Sequence, residues 1–307
     1  MRRVALIGVP TSAGAFAPGQ EDGPAALREA GLLGALDEAR VDAVDMGDVS
    51  GFRWRPDPEA PRAMNAAAVG RVAAEVADRV REARAADRVP LVIGGDCTIE
   101  LGTVAGFADE KAPPGLLYFD PHPDLNTPET VSDGALDWMG VAHLLDIPGA
   151  VEQLVALGPR RPLLDPQALV LFDASETRSR PEERATIERL GLDVISEGQV
   201  AADPRASAAE AVRRLSARTG RYLVHFDVDA IDFADAPLSE NTDRNVGLSF
   251  DAALAALEEL VRGPGAAALT VTELNPHHAA AVPDLLERFA NGLAEAIGHG
   301  WARPVWS

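Results

Sequence analysis

Short apolar runs alternate with helical patterns along almost the whole chain, and that alternation restricts the fold more than any other feature. Runs at 4–8, 41–46, 90–94, 116–119, 168–172, 193–196, 222–226 and 268–274 read as strands. Helical patterns intervene at 23–30, 64–86, from about residue 98, and at 182–190, 207–218, 250–261 and 282–297. Roughly eight strands alternating with helices predict a three-layer αβα sandwich around a central, mostly parallel sheet. No linker, repeat or low-complexity stretch divides the sequence, so residues 1–307 read as a single domain. With 47% hydrophobic residues, the chain can bury a large core.

Two of the strands end in acids. The stretch LLYFDPHPDLN leaves an apolar run at Asp120, His122 and Asp124, and YLVHFDVD leaves another at Asp227 and Asp229. Alternate residues of an extended chain point the same way, so each set projects together beyond its strand. Taken alone, the first motif also fits a polar loop with a hydrogen-bonded His122. Two such strand ends together predict a shared cation cluster, because paired buried carboxylates need a counter-charge. In parallel sheets, ligands bind beyond the carboxyl ends of the strands, where all these residues lie.

The net charge of −20 excludes a strongly nucleic-acid-binding surface, disfavours anionic membranes and could steer cationic substrates. The N-terminal run before Pro10 is too short for a signal sequence or a membrane span. The only cysteine, Cys97, cannot form an internal disulfide and fits a reducing, cytoplasmic compartment.

The motifs, taken in order, resemble those of the arginase–agmatinase (ureohydrolase) family. PGQEDGPAALREAGL is similar to PGxxxGPxxLRxAGL, VDMGDV to DxGD, and GGDCTIELG to GGDHSxxxG. DPHPDLNTP is similar to DAHxDxNTP, HFDVDAIDF to SFDVDxxDP, and ELNP to E-[VL]-N-P. The resemblance runs from residue 4 to about residue 297. It implies two divalent cations, Mn in the first instance, sharing a water or hydroxide, and hydrolysis of a guanidino or amidino group to urea or a substituted urea. It implies Cys97, Asp120, Asp124 and Asp227 on one ion and His122, Asp120, Asp227 and Asp229 on the other. Glu273 would receive the guanidinium. Relatives commonly form trimers or hexamers, so a homo-oligomer is expected.

Several departures bear on the substrate. Cys97 stands where the pattern has His; a thiolate is softer, which brings in Zn, Fe or Co, and it adds a negative charge. The ions should then be weaker Lewis acids, which favours an activated substrate such as an N-hydroxylated guanidine. A nucleophilic Cys97 would need a positioned base or electropositive surroundings. In SDGALDWMG the position of a proton-shuttling His falls on Asp137, and Asp133 replaces a Ser that holds the amino-acid end of arginine. Asn126 keeps its place, while Ser175 stands where a substrate-binding Asp is common. Asp124, Asp137 or water would protonate the leaving amine. His143 reads as structural, Arg244 as a carboxylate clamp or a surface charge, and His277 and His278 as loop residues, with His278 a second proton-transfer candidate. The expected function is a metal-dependent amidinohydrolase distinct from a standard arginase. The alternatives are an agmatinase-like, guanidino-acid or formimino hydrolase, and a metal-poor, non-catalytic ligand-binding relative.

Overall fold

The computed structural model of the chain describes residues 3–108 and 113–301. Of the expected domain 1–307, residues 1–2, 109–112 and 302–307 lie outside the described residues. The strands are β1 (Arg3–Val9), β2 (Asp42–Asp48), β3 (Val89–Gly94), β4 (Gly115–Phe119), β5 (Leu169–Ala174), β6 (Asp193–Ser196), β7 (Tyr222–Asp227) and β8 (Ala266–Thr272). They form one eight-stranded sheet in the order β2-β1-β3-β8-β7-β4-β5-β6. Each neighbouring pair is parallel, so the sheet is wholly rather than mostly parallel.

Parallel pairing requires crossovers, and the helices between strands cover both faces. One face packs on Gly23–Glu29, Leu32–Glu38, Pro204–Ser216, Phe250–Arg262 and Leu285–Trp301. The other packs on Ala66–Ala85, Glu100–Ala105 and Gly140–Leu144. Strand β4 shows how the sequence feeds both layers. Leu117 and Phe119 enter the first core, Leu116 and Tyr118 the second, and all four are fully buried. Burial of such a side chain stabilises the fold by about 1.5–3 kcal/mol. β2 is one of the two edge strands, with β6, and its mixed, partly exposed pattern follows from having only one strand neighbour. Among the described residues, no helix is long and apolar enough to cross a membrane.

The strand order positions the site. β1 to β3 build one side of the sheet and β4 to β6 the other. β7 and β8 return to fill the gap between β3 and β4. The four central strands, β3-β8-β7-β4, therefore deliver Cys97, Glu273, Asp227 and Asp120 just beyond neighbouring carboxyl ends.

Candidate metal centre and substrate cleft

Cys97 opens a helical turn, Cys97–Ile99, immediately after β3. Asp96 caps that turn by accepting Thr98 N–H at 3.1 Å. Its other oxygen accepts Gly14 N–H at 2.9 Å, tying the loop after β1 to the turn. Gly95 is required by close approach: a Cβ there would lie 2.3 Å from Thr11 O.

The strand-end acids lie close together. His122 Nδ1 lies 3.1 Å from Asp229 Oδ2 and 3.3 Å from Asp120 Oδ1. Cys97 Sγ lies 3.1 Å from Asp227 Oδ2 and 4.0 Å from Asp120 Oδ2. Asp120, His122 and Asp229 form one group of potential ligands; Cys97, Asp120, His225 and Asp227 form another, with Asp120 common to both. Asp124 stands outside both groups. It lines the same cavity, but its Oδ2 accepts the Tyr118 hydroxyl at 2.5 Å. His225 was not anticipated as a site residue. Its signal was its spacing, since residues 225, 227 and 229 share the alternation that singled out the two acids.

The electrostatics call for cations. Burial pushes the Asp227 carboxyl well above its ordinary range, and the Asp229 and Asp120 charges add to it. Burial, then Asp120, does the same to Asp124. Burial and four neighbouring acids raise the Cys97 thiol. Burial opposes a charge on His122, yet Asp229 and Asp120 raise its pKa well above the usual value. Asp229 Oδ1 is buried without a hydrogen-bond partner. Divalent ions would replace these protons and satisfy that oxygen, so the residues present fit a dinuclear metal site.

Glu273 follows β8 at φ 64°, a left-handed backbone that is costly for a glutamate and is held by its surroundings. Its N–H donates to Gly95 O at 2.9 Å and its O accepts Glu240 N–H at 2.9 Å. One carboxylate oxygen accepts Cys97 N–H at 2.9 Å, and the other accepts Gln20 Nε2–H at 2.8 Å. Asp124 (φ 49°), in the loop after β4, and Asp173 (φ 76°), at the register shift near the end of β5, are also left-handed. Both oxygens of the buried Asp173 lack hydrogen-bond partners.

Asp137 lies in the inner cavity with Cys97, Asp120, His122, Asp227 and Glu273. Burial pushes its carboxyl well up, with Asp96 adding to the effect. Phe16 and Trp138 stack at 5.9 Å with an 8° interplanar angle, and both line this cavity and the larger one outside it. The outer cavity measures about 650 Å³ and is lined by Asn126, Asp133, Arg178, Arg180 and His278, among others. Asn126 Oδ1 accepts the Thr130 hydroxyl, and Asp133 is exposed at the mouth. Ser175 is buried, with its hydroxyl paired to Thr177, and does not line either cavity. Arg178 and Arg180 were missed by sequence reasoning. They follow β5 in a charged stretch without a distinctive spacing.

The remaining histidines separate cleanly. His143 is fully buried, with Nδ1 2.5 Å from Met139 O, and burial lowers its pKa to about 4. His277 is a surface partner of Asp22, while Nδ1 of His278 contacts Ser239 O at 2.8 Å. Arg244 is exposed and sits over the Phe233 ring at 5.0 Å.

A wholly parallel α/β sheet with an acid-lined cleft and paired groups of potential metal ligands at its central strand ends defines the class: an arginase-like three-layer sandwich. The arginase family model matches residues 2–288, and the chain belongs to that family of metal-dependent amidinohydrolases. The chain is 31% identical to Arginase-1 of Mus musculus over 276 residues, covering 88% of this chain and 84% of the relative. The solved arginase of Bacillus caldovelox superposes with a TM-score of 0.87 at 26% identity, covering 100% of both chains. Formimidoylglutamase of Bacillus subtilis shares the fold with a TM-score of 0.74 at 20% identity, covering 98% of this chain and 88% of that one.

Proposed function

We propose that this protein hydrolyses a C–N bond of a guanidino or amidino compound, releasing urea or a substituted urea, at a dinuclear metal centre. The observation that carries the reading is the convergence of Asp120, His122, Asp227, Asp229 and Cys97 on one buried cluster beside Glu273. Asp120, His122 and Asp229 would hold one divalent ion, and Cys97, Asp120 and Asp227 the other. When bound, the ions supply Lewis acidity and bring the pKa of a water toward neutrality.

The chain's own residues do the rest. Glu273, fixed by Gln20 and Cys97 N–H, pairs with a planar cation and orients its carbon toward the cluster. Phe16 and Trp138 present flat faces at the throat that favour such a cation and exclude water. Asp137, its carboxyl pushed well up by burial, delivers a proton to the leaving amine.

The thiol among the ligands supports an activated guanidine over plain arginine, and it brings Zn, Fe or Co into contention with Mn. Arg178 and Arg180 on the outer wall favour a second reading, in which the far end of the substrate carries a carboxylate. Arg178 Nη2 makes no hydrogen bond, and its nearest carboxylate, Glu197 Oε1, stands 3.7 Å away as an ion pair. The single free cysteine is buried and supports a reducing, cytoplasmic setting, and the family supports a homo-oligomer.

The test is a panel of guanidino compounds offered to enzyme loaded separately with Mn, Co, Fe and Zn. It includes arginine, N-hydroxyarginine, agmatine and guanidino acids, and released urea or substituted urea is measured. Turnover of an N-hydroxylated or acid-tailed member above arginine is expected. Cys97→His is expected to raise the rate on arginine and shift metal preference toward Mn. No turnover with any metal would leave a non-catalytic binding protein.

A further inference from the structure

His225 has no part in the reaction as described, yet its placement is that of a ligand. It precedes Asp227 by two residues on β7, shares its face of the strand, and is fully buried. The family signatures carry His at position 97 and Ser at position 225. This chain has Cys97 and His225 instead, so the imidazole stands on a neighbouring segment of the same site.

We propose that His225 is a metal ligand, completing one cation site with Cys97, Asp120 and Asp227, and that Glu100 orients it. The inference rests on the dinuclear reading above. Its geometry is specific. His225 Nε2 lies 3.6 Å from Cys97 Sγ, which itself is 3.1 Å from Asp227 and 4.0 Å from Asp120. Donors about 2.3 Å (sulfur) and about 2.0–2.2 Å (nitrogen, oxygen) from a tetrahedral ion are separated by about 3.3–3.6 Å. The observed separations bracket that range, and all four donor atoms lie within 4.8 Å of one another.

The opposite ring nitrogen carries the second observation. His225 Nδ1 lies 3.3 Å from Glu100 Oε2, and Glu100 is itself buried. A carboxylate on one ring nitrogen fixes the tautomer that leaves the other free to bind metal. Tyr118 stacks on the ring at 4.1 Å and 8°, holding its plane. The same Tyr118 donates its hydroxyl to Asp124 Oδ2, and it is His225, not Asp124, whose donor atom falls within reach of Cys97, Asp120 and Asp227. A thiolate, an imidazole and two carboxylates suit Zn, Co or Fe(II) better than Mn.

X-ray absorption on Zn-loaded protein reads the ligands directly. Wild type is expected to show one sulfur together with imidazole scattering. His122→Asn removes the other imidazole of the cluster and is expected to keep both signals. His225→Gln should lose one tightly held equivalent, and Glu100→Gln should weaken that site about 10–100-fold, with folding checked by circular dichroism. Sulfur without imidazole in His122→Asn would overturn the inference, as would wild-type stoichiometry and affinity in a folded His225→Gln. If His225→Gln does not fold, the His122→Asn spectrum decides. Two equivalents bound without His225 sink only this inference. No metal bound by wild type under saturating Mn, Co, Fe or Zn sinks the dinuclear reading as well.

Discussion

Asp137 shows how one buried side chain can be given a chemical task by its surroundings. It is held beside Glu273 and Asp96, and desolvation keeps its proton on well above the usual carboxylate range. A carboxyl raised in this way acts as an acid below its raised pKa and loses that ability as pH climbs through it. The turnover number should therefore fall on the alkaline side. Asp137→Asn should lower it by about 10²-fold or more, with little change in KM, and should abolish that alkaline decline. A pH–rate profile of the two proteins checks this. A substrate with a good leaving group should suffer less from the change. A His at this position would have been recognised at once as a proton carrier. The Asp was identified only by counting along the family pattern, and its burial could not be read from the letters.

At the scale of elements, the turns beyond β3 and the helix Gly140–Leu144 govern how the cleft is held. Gly95→Ala would place a methyl carbon 2.3 Å from Thr11 O, and backbone cannot retreat as a side chain can. We expect a loss of about 3 kcal/mol or more in denaturant unfolding, together with weaker metal retention. Within Gly140–Leu144, His143 is kept neutral, with its pKa lowered to about 4 from its ordinary 6.5. The unfolded chain takes up that proton first, so stability falls as pH drops from about 6.5 toward 4, by up to about 3 kcal/mol. Comparing unfolding of wild type and His143→Gln across this window isolates the effect, and the variant should be flatter.

The elements themselves were largely legible in the sequence. Each of the eight apolar runs became a strand within about two residues, because buried parallel strands read as continuous apolar stretches. The short helices Leu32–Glu38 and Glu197–Ala202 were missed, since six or seven residues scarcely register a 3.6-residue period. The acids and Glu273 were found through their strand-end positions. His225 and Glu100 were passed over because each sits inside an apolar segment, where only the fold reveals that they face one another.

Across the whole molecule, the net charge of −20 would attract a cationic substrate. For a cationic guanidino compound, kcat/KM should fall severalfold, by roughly 2–10-fold, between about 0.01 and 0.15 M ionic strength. An acid-tailed compound should respond less. Steady-state assays at the two salt concentrations, with metal held saturating, separate the cases.

The order in which the strands fill the sheet has a consequence for biosynthesis. Asp120 is made early, but β7, which pairs with β4 on the side of the cluster, and β8 beside it are the last of the eight strands to be made. A nascent chain that ends before residue 222 carries Cys97, Asp120, His122 and Asp124 but neither the candidate donors of β7 and the turn after it nor Glu273. Tight capture of an ion would thus mark the moment β7 has slotted in beside β4, making metal retention a built-in report of a closed sheet.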